Sequence, residues 1–250
     1  MTERHYSNKK VEEIADGRLA DYQTKFGIIT GPPIPIDHII ENLFDLKISW
    51  EKIIEKPGEI IWGGLRPQKR QIVLNEIHLD AFQNNPGIER STKGHELGHW
   101  DLFTDQGRLN HPMLPGIDAS KGLIFRSASQ GQVEVIRLLT TKPEAYKMYK
   151  EMIKNEDEPL VKTAVNRYAA ALSMPRQFMV PAFKSMVGSW DHWSKMPFNY
   201  QLHDLYTLAE RFDVSVQALQ VRLEQLSLLV IDGKTVYKNK SEANGQLSML

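Results

Sequence analysis

His95-Glu96-Leu97-Gly98-His99 is the stretch that decides the fold, because it puts two imidazoles and a carboxylate on one helix. Residues four apart lie on the same side of an α-helix, so both histidines can ligate one ion at about 2.0–2.1 Å. Glu96 lies beside that face, where it can take a proton from water that a bound metal acidifies. The array predicts a zinc hydrolase with His95 and His99 as metal ligands and Glu96 as the catalytic base.

A surface helix with two solvated histidines is the other explanation of this pattern. Leu97 and Trp100 lie within or next to the motif, and Leu102 and Phe103 follow them. These apolar side chains indicate a buried helix. Buried imidazoles without partners would cost free energy, which favours the metal site.

The composition excludes several classes of partner and of functional site. In 250 residues, 31 Lys and Arg balance 31 Asp and Glu, so no global basic excess directs the chain to nucleic acid or to an acidic membrane. The chain has no cysteine, which excludes disulfides, thiolate metal sites and thiol nucleophiles. Residues 1–6 carry no apolar signal segment, and no run of eighteen apolar residues follows. We therefore expect a cytoplasmic protein.

The hydrophobic pattern predicts a mixed order of helices and strands, which is an α+β fold. Helices are expected at residues 11–26, at 37–44 with Asp37 as the cap, at 88–103, 133–139 and 143–154, and at 159–172 with Pro159 in the first turn. Strands are expected near residues 48–50, and at 59–65 and 70–75, which form a hairpin around residues 66–69. A loop rich in Gly, Pro and Asn covers residues 105–122.

This order and a second motif give the chain a resemblance to a known family. The motif is Asn166-Arg167-Tyr168-Ala169-Ala170-Ala171-Leu172-Ser173-Met174-Pro175, at the end of a later helix. With the HExxH array, it resembles the ImmA/IrrE family of metallopeptidases (the IrrE N-terminal-like domain). Residues 205–223 are similar to the helix-turn-helix segment of that family. The resemblance covers roughly residues 35–237.

The resemblance implies a zincin-like metallopeptidase fold, a small mixed sheet packed on the HExxH helix, followed by a helix-turn-helix or winged-helix-like segment. We expect a helical arm over residues 1–34, the metallopeptidase domain over 35–198, the helix-turn-helix-like segment over 199–240 and a flexible tail over 241–250. Asp232-Gly233 favours a tight hairpin in the third segment. The implied function is a zinc-dependent endopeptidase that cleaves a cytosolic helix-turn-helix repressor of the XRE type, and so acts in transcription regulation.

Lys162 departs from the family pattern. In the family, a glutamate four residues before the Asn of the second motif is the third zinc ligand, and this chain has a lysine there. A protonated ammonium cannot ligate zinc. At about 6 Å from a divalent ion and an effective dielectric of about 20, it would repel the ion by about 5 kcal/mol. Zinc would then bind weakly or not at all, unless Lys162 points away or a carboxylate such as Glu158 or Glu134 completes the site.

Three functions therefore stay open. The first is the active zinc endopeptidase. The second is a catalytically degenerate sensor or binding protein on the same fold, in which Lys162 pairs with Glu96 where the metal once was. The third is a DNA-binding regulator that uses the helix-turn-helix. Asn166 could hydrogen-bond a ligand histidine, or could be a solvated helix residue.

The helix-turn-helix-like segment carries few cations for a DNA reader. In the second helix, from Val216, Arg222 is the one basic side chain before Glu224. Contacts to bases and phosphates in a major groove usually need several cations. We expect that the segment does not bind nucleic acid on its own and docks a protein instead.

The remaining candidates are expected to be structural. His78, His111, His192 and His203 stand alone in the sequence, and lone histidines are usually solvated or satisfied in the core. Trp190-Asp191-His192-Trp193 is interpreted as a packing cluster rather than a ligand site. Tyr168 is expected to face the core.

Overall fold

The computed structural model describes residues 6–104, 124–129, 159–232 and 235–243. The helices are α1 (Asn8–Phe26), α2 (Ile36–His38), α3 (Leu79–Asn84), α4 (Pro86–Gly98), α5 (Pro159–Ser173), α6 (Arg176–Val187), α7 (Trp190–Trp193), α8 (Phe198–Phe212), α9 (Val216–Gln225) and α10 (Lys240–Ala243). The strands are β1 (Lys47–Glu51), β2 (Glu59–Arg66), β3 (Gln71–Asn75), β4 (Ile124–Ser129), β5 (Val230–Asp232) and β6 (Thr235–Tyr237). The predicted α+β class is confirmed.

Short non-α turns extend or connect these elements. The π-helical turns Ile39–Leu43 and His99–Phe103 continue α2 and α4, and the 3-10 turns Pro67–Lys69 and Glu76–His78 flank β3. The predicted cap of α2 is wrong: the helix begins at Ile36 with Pro35 before it, so Asp37 lies inside the first turn. There the Asp37 carboxylate accepts two hydrogen bonds from Lys93 Nζ, at 2.9 and 2.8 Å.

A four-stranded sheet has the order β1-β3-β2-β4. The predicted hairpin is confirmed, since β2 and β3 pair antiparallel, with Gly64 opposite Val73. The turn lies one residue later than predicted, at residues 67–70: β2 extends to Arg66, and β3 begins at Gln71 because Arg70 adopts the left-handed conformation (φ 50°). β1 pairs parallel to β3, and β4 pairs antiparallel to β2.

The first hydrophobic core lies among α1, α2, α4, α5 and one face of the sheet. The helix predicted as an N-terminal arm contributes four buried residues to it, Val11, Ala15, Leu19 and Tyr22. α1 is therefore packed into the same core as the HExxH helix, and this packing matters for the site described below.

The second core extends from Met174 to Val236, through α6, α8, α9 and the β5–β6 hairpin. It includes residues on both sides of position 198, the boundary expected from sequence, and the domain division stays a prediction. α8 and α9 are joined by a short turn at which Asp213 is left-handed (φ 53°). β5 and β6 pair antiparallel, with Asp232 opposite Thr235; Gly233 of the predicted hairpin turn lies outside the described residues.

Several expectations lie outside the described residues. These are the loop at 105–122, the helices at 133–139 and 143–154, the side chains of Glu134 and Glu158, and residues 244–250 of the expected tail; residues 241–243 belong to α10. Among the helices that the structure describes, none combines the length and the apolar character needed to cross a membrane.

Candidate metal centre

The centre is built where α4 and α5 pack closely together. Gly94 and Gly98 of α4 face Ala169 and Val165 of α5, and a Cβ atom added at either glycine would lie 3.1 Å from the facing Cβ atom. Larger side chains at these positions would push the helices apart. Because a histidine follows each glycine in the sequence, this contact brings both imidazoles beside α5.

The two imidazoles converge. His95 Nε2 and His99 Nε2 lie 3.2 Å apart, and His95 Nδ1 lies 2.8 Å from Asn166 Oδ1. Since the amide oxygen only accepts, Nδ1–H of His95 is the donor, which leaves the lone pair on its Nε2 directed at His99. The two imidazoles thus lie together beside Asn166 of α5, whereas their role as metal ligands and the role of Glu96 as base stay predictions.

Burial keeps His99 in the neutral form that a metal requires. His95 is 5% exposed and His99 is 9% exposed. Burial and, secondarily, the positive charge of Lys162 lower the pKa of His99 to about 4. At neutral pH the His99 ring is therefore uncharged.

Glu96 and Lys162 lie on the two helices that form the centre. Glu96 is fully buried in α4, one residue after the first histidine. Lys162 is half-buried in α5, one turn before Asn166, and its charge acts on His99. The lysine at the expected third-ligand position thus lies within electrostatic range of His99.

The turn after the motif carries a polar network that sequence reasoning missed. Asp101, with a side chain 1% exposed, accepts hydrogen bonds from Arg18 Nε and Nη2 and from the Tyr168 hydroxyl. Tyr168 is fully buried, as expected. Asp101 is a charged residue in an otherwise apolar helix, and this was the available signal in the sequence. Its partner Arg18, however, is 83 positions away. No local pattern could identify Arg18.

The other candidate residues lie apart from the centre. His78 Nε2 lies 2.5 Å from Glu55 Oε1, which satisfies it, and His192 and His203 are exposed. His111 lies outside the described residues. The packing role expected for the tryptophan cluster is confirmed, since Trp193 is buried in the second core and stacks against Trp190.

α9 offers no exposed cationic surface. Arg222 is fully buried, and its guanidinium donates to both carboxylate oxygens of Glu12, at 2.6 and 2.9 Å, and to the Met174 carbonyl. Every residue of α9 is buried or half-buried. The one arginine that the sequence offered for contacts to DNA is therefore not at the surface of α9.

The described ranges contain no group of three His, Cys, Asp or Glu side chains placed to hold a metal ion. The side chains of Glu134 and Glu158, the carboxylates expected as possible third ligands, lie outside those ranges. Comparison with protein-family models gives no match for this chain, and comparison with curated proteins gives none either.

Proposed function

We propose that the chain is a zinc-dependent endopeptidase of the ImmA/IrrE type, on a zincin-like fold, that cleaves a cytoplasmic helix-turn-helix repressor. The observation that carries the proposal is the 3.2 Å separation of the two Nε2 atoms, with His95 oriented by Asn166. Two nitrogens that ligate one tetrahedral zinc at about 2.0–2.1 Å lie about 3.3 Å apart. The imidazoles therefore have the spacing that the ion requires.

His95 and His99 would hold the ion in this proposal, and Asn166 would keep the His95 ring in the tautomer that ligates through Nε2. Bound zinc would polarise the scissile carbonyl and acidify water. Glu96 would accept the proton of the attacking water and return it to the leaving amine. Its position supports this role, because Glu96 follows His95 directly in α4 and its side chain is fully buried.

A catalytically degenerate binding protein is the second candidate, and Lys162 is the observation that favours it. Its charge acts on His99, and a divalent ion between the imidazoles would experience the same repulsion. The two candidates share their fold and differ in whether a carboxylate completes the ligand set.

DNA binding is disfavoured by the burial of α9. The one arginine that the sequence offered for contacts to DNA is fully buried against Glu12. Docking of a protein partner by the helix-turn-helix-like segment stays the better proposal.

The test is proteolysis by the zinc-loaded protein. Purified helix-turn-helix repressors would be incubated with the wild type and with Glu96→Gln, and the products would be identified by mass spectrometry. Glu96→Gln should retain zinc and lose most turnover, because it removes the base and leaves both imidazoles in place. Zinc-loaded wild type without any cleavage, or Glu96→Gln with undiminished cleavage, would contradict the endopeptidase.

A further inference from the structure

The segment that presents His99 is not regular α-helix. α4 passes into a π-helical turn at His99–Phe103, so His99 is the first residue of that turn. π-helical turns are rare and persist where other contacts hold them, often at functional sites. The position of the His99 ring therefore depends on what fixes this turn.

Most of the contacts that fix it come from α1 and from Tyr6, which lies two residues before α1. Arg18 Nε donates to both oxygens of Asp101, at 2.9 and 3.2 Å, and Arg18 Nη2 donates to Oδ1 at 2.8 Å. The Tyr168 hydroxyl donates to Oδ2 at 2.9 Å. Tyr6 contributes a further anchor, since its hydroxyl donates to the Leu102 carbonyl at 2.8 Å.

Arg18 is the cation that the turn requires. Asp101 is 1% exposed, and a buried carboxylate that loses its cationic partner is strongly destabilised. The bidentate geometry also fixes the orientation of the Asp101 carboxylate, since the planar guanidinium of Arg18 meets it edge to edge. Any displacement of the turn that moves His99 would have to break these bonds.

We propose that Arg18 is a positioning residue of the metal centre, which holds His99 against His95 by anchoring Asp101 from α1. The inference rests on the proposed metal site and extends it: α1, which the sequence suggested to be an arm, is required for the centre to form.

The test compares Arg18→Gln with Arg18→Lys, and uses Asp21→Asn as the matched control. Asp21 contacts Arg18 Nη1 at 3.3 Å on the solvent side and does not touch the turn. Two quantities are measured in the full chain: the zinc dissociation constant by calorimetry, and the amide hydrogen exchange of residues 99–103 in the metal-free protein.

Arg18→Gln should weaken zinc binding about tenfold, which is the effect typical of lost outer contacts to a ligand, and should accelerate exchange in the turn more than elsewhere in α4. Arg18→Lys should recover part of the zinc affinity and part of the protection from exchange, because it keeps the charge but not the two parallel hydrogen bonds to Asp101. Asp21→Asn should match the wild type. A uniform rise in exchange across the protein, with zinc affinity unchanged, would overturn the proposal.

Failure of the proposed function is distinguishable from failure of this inference. If the wild type binds no zinc, the metal site is refuted, and the exchange data on the metal-free protein still test whether Arg18 orders the turn. If Arg18→Gln does not fold, Tyr168→Phe removes one bond to Asp101 without removing charge. Unchanged exchange at residues 99–103 in that variant would refute the anchoring role of Asp101.

Discussion

Replacement of Lys162 by glutamate should turn a weak zinc site into a strong one. Lys162 is half-buried on α5 beside His99, and its charge already contributes to the low pKa of that ring. Lys162→Glu removes a repulsive charge and supplies a carboxylate oxygen one turn from Asn166. Both changes favour the bound ion.

The magnitude follows from Coulomb's law. A unit charge about 6 Å from a divalent ion is repelled by about 1.4 kcal/mol in water and by about 5.5 kcal/mol at an effective dielectric of about 20. For a half-buried lysine we use the lower part of this range. Relief of the repulsion alone should strengthen zinc binding about 10- to 100-fold, and a new ligand should add to that.

Calorimetric zinc titration of four proteins separates these contributions. Lys162→Gln reports loss of the charge, and Lys162→Glu reports loss of the charge with gain of a ligand. Lys184→Glu makes the same change of net charge at an exposed position on α6, and should leave the affinity unchanged. Tight zinc binding by the wild type with no gain in Lys162→Glu would contradict a repulsive effect of Lys162 and show that another carboxylate completes the site.

Three further predictions concern the same elements. Asn166→Ala should weaken zinc binding about tenfold in calorimetry, because His95 loses the partner that fixes its tautomer; equal affinity would deny that role. The free energy of unfolding of the metal-free protein should decrease as the pH falls from about 6.5 to about 4, because His99 takes up a proton more readily in the unfolded state than in the folded state. Denaturant titrations of the His99→Gln variant should show a weaker dependence of this free energy on pH. Gel shifts with duplex DNA should show no tight, salt-sensitive binding, since Arg222 is buried.

The sequence predicted the parts of the centre that depend on local spacing. The four-residue interval of the HExxH array, the hairpin around residues 66–69 and the helix that carries Asn166 all follow from short-range periodicity. The sequence suggested that Asn166 could hydrogen-bond a ligand histidine, and the glycines that face Ala169 and Val165 give the physical reason why α4 and α5 approach so closely.

The role of α1 could not be predicted in the same way. Its polar composition suggested an arm, because the pattern does not reveal that Glu12 and Arg18 find partners more than 80 residues away. The burial of Arg222 was equally hidden: in sequence it is a lone cation on an amphipathic helix, and only the tertiary fold brings Glu12 to it. Long-range ion pairs of this kind leave no periodic signal.

The π-helical turn at His99–Phe103 is a further feature without a sequence signature. The sequence predicted a helix over residues 88–103. The helical path does reach Phe103, but from His99 onward it is a π-helical turn, which is wider than an α-helical turn. The network around Asp101 explains why the departure is tolerated, since the buried carboxylate gains an arginine and a tyrosine as partners.

The most direct test of the metal centre is anomalous X-ray scattering from crystals grown with zinc and measured at the zinc absorption edge. High protein and zinc concentrations in the crystal would populate even a weak site. A zinc ion held by the two histidines should give a peak about 2.0–2.1 Å from both His95 Nε2 and His99 Nε2, and this peak should be lost in the His95→Ala variant. A crystal that contains zinc at other positions, with no peak at either imidazole, would contradict the proposed metal centre.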